Sequence, residues 1–373
     1  MTASQVPEKI ARRPWVVITD YPRWPSPYFA ALQRCAPPEL GLRFYPDLDD
    51  LDDIADTTGP GVINLHRLKR LYRDPAGTRT LGAAQSLLDR LVWLRARGWR
   101  LVWTVHNLLP IDGTARSGVD KIVTDGVLAV AEVILCHTNA DARVLAQRSP
   151  AQVVVTGWAG LSRSRQPASP EVAGVVAGMR SATISVLLLG HVTAYKDVPA
   201  AVASFLAHTR TAHLTVAGTC PDPHTTTELT RLAASSSGRV SMHLRRIPPE
   251  QAWHLYAAAH AAAHAAVCPY RTDGPFEFFT EVMHPSSVGT AVCFGVPVIA
   301  PSLPAIVEMT NGRPRWLAGP DDIGPALAAA ETDLNTQIRG RGDPRGERPA
   351  PDADHRWRQI TSRYHQVAGR LAR

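Results

Sequence analysis

The chain has 373 residues, 45% of them apolar and 20% charged, and its net charge is +7. That length suits about two domains, each large enough for its own core, and no apolar run approaches the roughly 20 residues that span a bilayer. The positive balance suits a phosphate-bearing ligand or an anionic membrane face, whereas the lack of a basic stripe with interleaved aromatics, a zinc finger or an RNP-type sequence argues against nucleic acid.

Trp15 to Thr19 reads as a first buried strand. Asp20 to Tyr28 follows as a proline-stiffened loop. Asp20 sits at the strand's carboxyl end, and Tyr21, Trp24 and Tyr28 are available to an acceptor; an aromatic turn packed on its own domain is the equal alternative. Strands are expected over Gly41–Tyr45 and Gly61–Leu65. Between them, the acidic run from Asp47 to Asp53 reads as a solvated turn, because hard cations need ligands converging from a fixed geometry. Leu81–Arg97 has helical periodicity and stops at Gly98. Leu101–Val105 is the next strand and ends in His106-Asn107, which either hydrogen-bonds a polar ligand or is satisfied by neighbouring backbone. A helix over Val119–Ala131, a strand over Val133–Cys136, a helix over Ala140–Gln147 and a strand over Val153–Thr156 complete a first half.

Ser162–Pro170 reads as a linker. The pattern then restarts with a strand over Ile184–Leu189. Helices over Val198–His208, Thr226–Ser235 and Gln251–Ala263 alternate with strands over Ala212–Ala217, Val240–Leu244 and Ala265–Cys268. Ile323–Leu334 is a further helix, 337–354 a polar surface loop, and His355–Leu371 a basic final helix that packs back on the first half or touches anionic lipid. Strands alternating with helices predict an α/β fold of two doubly wound, Rossmann-like domains facing each other across a cleft.

The most informative stretch runs from His284 to Met309. It reads as a polar helix start capped by Ser286 and Ser287, a short small-residue helix, a stop at Gly295, a strand over Pro297–Ala300, and a loop ending in Glu308. Such a helix start offers bare N–H groups and partial positive charge to an anion. The loop Gly190-His191-Val192-Thr193-Ala194-Tyr195-Lys196 follows the first strand of the second half, where open α/β sheets bind ligands. Gly190 permits close approach and Lys196 supplies a cation, so the two segments together form a two-sided clamp for a diphosphate. The five scattered cysteines, Cys35, Cys136, Cys220, Cys268 and Cys293, show no C-x-x-C. They argue against zinc and disulfides and suit a reducing cytoplasm, as does a start without a signal-peptide core. No dinucleotide fingerprint, Walker lysine or nucleophile elbow is present.

In this order, Ser26-Pro27-Tyr28, the run Trp103 to Pro110 (WTVHNLLP), Tyr195-Lys196, and Gly295 to Ala300 leading to Glu308 resemble the GT-B glycosyltransferases, most closely glycosyltransferase family 4. The resemblance implies residues 1–161 as an acceptor-binding domain, 162–182 as a linker, 183–354 as a nucleotide-sugar domain, and 355–373 as the returning helix. It implies that Lys196 contacts the donor diphosphate together with Gly190, His191 and the segment Ser286, Ser287, Val288, Gly289 and Thr290. His106 and Asn107 would approach the donor sugar, with Glu281 and Glu308 near sugar or nucleotide. Lys196, His106 and Asp20 are the candidate catalytic residues. No metal and no cofactor are expected beyond the nucleotide-sugar donor, and the donor's anomeric configuration would be retained. His191 stands where the family commonly has arginine, Thr290 and Val282 stand where it has paired glutamates, and Ile111 stands where relatives often have histidine. A nucleotide-sugar epimerase, a phosphorylase or a non-catalytic binding subunit on the same scaffold are the other readings.

Overall fold

The computed structural model describes residues 13–21, 23, 26–52, 59–112, 118–247, 249–254, 264–313, 315–319, 322–341 and 353–372. Trp24, Asp53 and the end of the expected alanine-rich helix lie outside the described residues. Two six-stranded sheets carry the fold. The first comprises β1 (Trp15–Ile18), β2 (Leu42–Tyr45), β3 (Val62–Leu65), β4 (Arg100–Thr104), β5 (Val133–Cys136) and β6 (Gln152–Val155). The second comprises β7 (Ser185–Leu189), β8 (His213–Ala217), β9 (Val240–His243), β10 (Ala265–Val267), β11 (Val298–Pro301) and β12 (Arg315–Ala318). All pairings within both sheets are parallel, in the orders β2-β1-β3-β4-β5-β6 and β12-β11-β10-β7-β8-β9. With helices packed on the faces, these are two Rossmann-like units in the GT-B arrangement.

β1, β3, β5, β7 and β11 are buried along their whole length and are mostly apolar, with Asn64 in β3 and Ser185 in β7 as buried polar residues. Each sheet has a switch point, where strand order runs outward in both directions: between β1 and β3 in the first, and between β7 and β10 in the second. Loops leaving the carboxyl ends of strands there diverge and leave a crevice. One buried apolar cluster crosses between the halves, including Trp103 and Leu108 from the first and Met283, Val288 and Ile306 from the second.

Several segments differ from the sequence reading. The stretch read as an aromatic loop holds the helix Pro27–Cys35, opened by a proline at its first turn. Much of the expected linker is the helix Pro170–Ser181, capped by Ser169. The segment read as a loop toward Glu308 contains the helix Pro304–Met309. The helix Gly324–Arg341 runs on into the stretch expected to be a loop. The final helix, Ala353–Leu371, packs Trp357, Ile360 and Tyr364 against Trp15, Phe29 and Leu32 of the first half.

Glu331 anchors the second unit from the helix Gly324–Arg341. Its carboxylate accepts from the backbone N–H groups of Arg210, Thr211 and Ala212 at 2.9, 2.6 and 2.7 Å, just before β8. Burial alone would raise this carboxyl, but those donors hold it below its ordinary 4.5. Glu331→Ala is expected to cost about 2 kcal/mol at neutral pH by leaving these donors unpaired. A depressed carboxyl stabilises above its unfolded pKa and loses that contribution as pH falls through its folded one. Denaturant unfolding should therefore show parent and variant converging in acid; a cost that ignores pH would rule out the carboxylate as the anchor.

Candidate functional site

Gly190 leaves β7 with φ +129°, a conformation L side chains rarely adopt, and a Cβ there would lie 2.7 Å from Lys196 Nζ. The freed space admits the lysine, which is 5% exposed and whose Nζ donates to Ser287 Oγ at 3.3 Å. Ser287 lies in the first turn of the helix Ser286–Cys293, so the loop after β7 and this helix start meet at the second sheet's switch point. The capping differs from expectation. Pro285 holds the cap position without a side-chain bond, and Ser286 and Ser287 are the first helical residues. The Ser286 N–H turns to His284 O at 2.8 Å, and the Gly289 N–H reaches Pro285 O at 3.0 Å. The donors a helix leaves open at its start therefore fall on Ser287 and Val288. Gly289 has no room for a side chain, since a Cβ would sit 2.9 Å from Trp158 Cδ1.

No carboxylate pairs with Lys196 among the described residues. A buried cation pressed on a helix N-terminus sets like charge against like. Loss of solvent, then the charges of Lys196, Arg67 and Arg246, push the His191 imidazole below its ordinary value. The electrostatics of this corner suit an anion.

A second feature lies on the first sheet. His66, His106 and His137 each follow the carboxyl end of an adjacent strand, β3, β4 and β5. Their ring nitrogens approach one another in a row. His66 Nε2 lies 3.0 Å from Asn64 Oδ1, and His66 Nδ1 lies 3.0 Å from His106 Nε2. His106 Nδ1 lies 3.2 Å from His137 Nε2, and His137 Nδ1 lies 3.1 Å from Gly157 O. His284, from the second half, stacks on His137 with ring centroids 3.9 Å apart. The Tyr28 ring meets His106 edge-on at 5.1 Å, and its hydroxyl shares a hydrogen bond with Tyr364 at 3.1 Å. Burial lowers all four imidazoles below their ordinary 6.5, His137 to about 4, and neighbouring rings add to the effect on His66, His106 and His284.

The expectation of no metal and no cofactor is overturned here. His106, His137 and His284 bring one potential ligand nitrogen each to within 4.8 Å of one another, an arrangement that suits metal coordination. Sequence reading singled out His106 alone. The missed signal was repetition, since VINLH, LVWTVH and VILCH each run a buried strand into a histidine.

The remaining candidates are dispersed. Asp20 pairs with Arg70 on the first half. Tyr21 donates to Gln33 Oε1 at 2.7 Å and packs on Phe29 and Phe44. Asn107 forms an antiparallel bridge with Met283. Glu281 pairs with Arg148 at 2.7 Å. The Glu308 carboxylate accepts from the N–H groups of Asn139 and Ala140, both at 2.8 Å, and from Asn139 Nδ2 at 2.9 Å. It thus caps the helix Asn139–Arg148 of the other half. In the acidic run, Asp47 accepts from the Asp49 N–H at 2.9 Å and Asp52 pairs with Arg90 at 2.9 Å.

The chain is similar in structure to sucrose-phosphate synthase from Thermosynechococcus elongatus, with 16% identity, 87% of this chain and 75% of that chain covered, and a TM-score of 0.55. Anabaena HepE in complex with UDP-glucose matches at 13% identity over 93% and 88% of the two chains, with a TM-score of 0.54. A glycosyltransferase from Rickettsia africae matches at 11% identity over 92% and 82%, with a TM-score of 0.51. These likenesses establish the GT-B fold. No protein-family model matches the chain, and no curated protein is significantly similar in sequence; membership of family 4 therefore has no support from these matches.

Glu308→Ala should remove the cross-half cap and cost about 1–2 kcal/mol, as losing a charge-assisted helix cap does. Hydrogen exchange should quicken at Asn139 and Ala140, and unchanged protection there would show that the carboxylate does not hold this junction.

Proposed function

We propose that the chain is a glycosyltransferase that moves a sugar from a nucleoside-diphosphate sugar to a hydroxyl-bearing acceptor. The observation that carries this reading is Lys196, buried without a carboxylate partner among the described residues and bonded to Ser287 at the start of a helix. A diphosphate seated between them answers both positive features. As the bond from the anomeric carbon to the diphosphate breaks, negative charge grows on the leaving oxygen, and a preorganised cation with helix N–H groups stabilises it at the moment it forms. Gly190 gives the phosphates backbone access, and His191 flanks them. Arg67 and Arg246, whose charges reach His191, add to the positive field.

The second half would hold the nucleotide sugar and the first half the acceptor, with Tyr28 and the loop carrying Asp20 lining the acceptor side. His106 follows β4 and would border the transferred sugar with its ring face, since both its ring nitrogens turn to His66 and His137. Retention of anomeric configuration, as in family 4, is the stereochemical outcome we assign. UDP-sugars are the first donors to test, because HepE has been seen with UDP and UDP-glucose.

A thermal-shift screen across UDP-, GDP- and dTDP-sugars should find one class that stabilises the protein by mass action. Mass spectrometry would then read transfer to candidate acceptors. Lys196→Ala should cut turnover at least ~10²-fold, the usual loss on removing one preorganised charge stabiliser. Its folding stability should hold or rise, because a buried positive charge leaves a helix N-terminus. Near-normal turnover in that variant would overturn the assignment, and an epimerised donor formed without acceptor would replace it.

A further inference from the structure

The imidazole chain on the first sheet is short of one cation, and its tautomers show where. At one end, Asn64 is locked in orientation. Its Nδ2 donates to Leu65 O at 3.2 Å and to Thr104 Oγ1 at 3.0 Å, and its Oδ1 accepts from Trp15 Nε1 at 3.4 Å. His66 Nε2 faces that oxygen and must carry a hydrogen, which leaves a lone pair on His66 Nδ1. His106 Nε2 faces this lone pair, so it carries the hydrogen of that ring and His106 Nδ1 is bare. At the other end, Gly157 O can only accept. His137 Nδ1 therefore carries its ring's hydrogen and His137 Nε2 is bare. Two lone pairs then confront each other at 3.2 Å.

Such a confrontation is repulsive unless a cation lies between or beside the two nitrogens. A tetrahedral Zn2+ with bonds of about 2.1 Å sets its nitrogen ligands roughly 3.4 Å apart, close to what the two rings present. A third ring completes the set. His284 stacks on His137, makes no hydrogen bond through its ring to any described residue, and brings a nitrogen within the same 4.8 Å group. The Tyr28 hydroxyl is engaged by Tyr364, so it adds no ligand. The outer partners are those that orient metal-bound imidazoles, a backbone carbonyl behind His137 and a second ring behind His106.

The geometry points to a site for a borderline divalent transition ion, Zn2+ or Co2+, held by His106 Nδ1, His137 Nε2 and a ring nitrogen of His284, with a further position left for an exogenous oxygen ligand. The ion replaces the missing cation of the chain and joins β4 and β5 of the first half to the segment opening the helix Ser286–Cys293 of the second. The site stands on its own and does not rest on the transferase reading.

The test uses the full chain, stripped with chelator and titrated with Co2+ alone. One equivalent should develop visible ligand-field bands of low coordination number, raise the thermal midpoint, and be displaced by Zn2+. His137→Ala and His284→Ala should each weaken Co2+ binding at least ~10²-fold, more than loss of an outer partner typically costs. Far-UV circular dichroism would confirm folding, and His284→Ala carries the test should the more buried His137 variant not fold. Cobalt that stays six-coordinate and leaves the midpoint unmoved would overturn the proposal. So would one-equivalent binding that survives both substitutions, or nuclear magnetic resonance that finds a proton held between His106 and His137 and unmoved by zinc.

Discussion

A lysine ammonium buried at the N-terminal end of a helix is the constraint around which the cleft is organised. Nothing in folding favours that placement for its own sake. The helix start is already partly positive, and a buried cation without a counter-charge costs free energy. Two features of the surroundings accommodate the placement: Ser287 Oγ accepts a hydrogen bond from the ammonium, and Gly190 leaves the space the side chain occupies. An apolar residue at position 196 would satisfy the fold better. The lysine that stands there is the feature the proposed diphosphate would answer.

The two halves are held in register by contacts that come mostly from the second. Glu308 caps a first-half helix, Met283 bridges Asn107, and the His284 N–H donates to His106 O at 2.8 Å. The final helix returns to the first unit. There Trp357 Nε1 donates to Gly160 O at 2.9 Å, and the Tyr364 hydroxyl meets those of Tyr28 and Thr104. A buried acidic or aromatic polar group needs its partner. These interactions therefore specify one relative placement of the sheets more sharply than apolar packing would.

Much of this was legible in the sequence because strand–helix alternation is a local signal. The buried runs Val133–Cys136 and Ile184–Leu189 stand out by composition, and the loop from Gly190 to Lys196 falls where a doubly wound sheet puts its ligand. Short helices opened by proline were not legible. Pro27, Pro170 and Pro304 fix a helical φ at a first turn, yet in sequence they look like loop punctuation. Glu308 could be seen as an acid after a strand, but its partner lies at Asn139, and only the fold brings the two together. The histidine cluster was hidden for the same reason. His66, His106 and His137 become neighbours through parallel pairing of β3, β4 and β5, and His284 joins them from the other half.

The segment from Met283 to Thr290 belongs to both features at once. His284 faces the imidazole row, and two residues later the chain enters the helix whose start meets Lys196. Between them, the Ser286 N–H bonds back to His284 O, so the short connection is itself tied down. An ordered His284 therefore leaves less conformational freedom to Ser287 and Val288. Were the proposed ion and the proposed diphosphate both held, each would lower the entropy cost of binding the other, and by linkage the effect would be reciprocal. Room is short along this stretch. A side chain at Gly289 would strike Trp158, and any displacement of the helix start to relieve that clash would be felt at both ends.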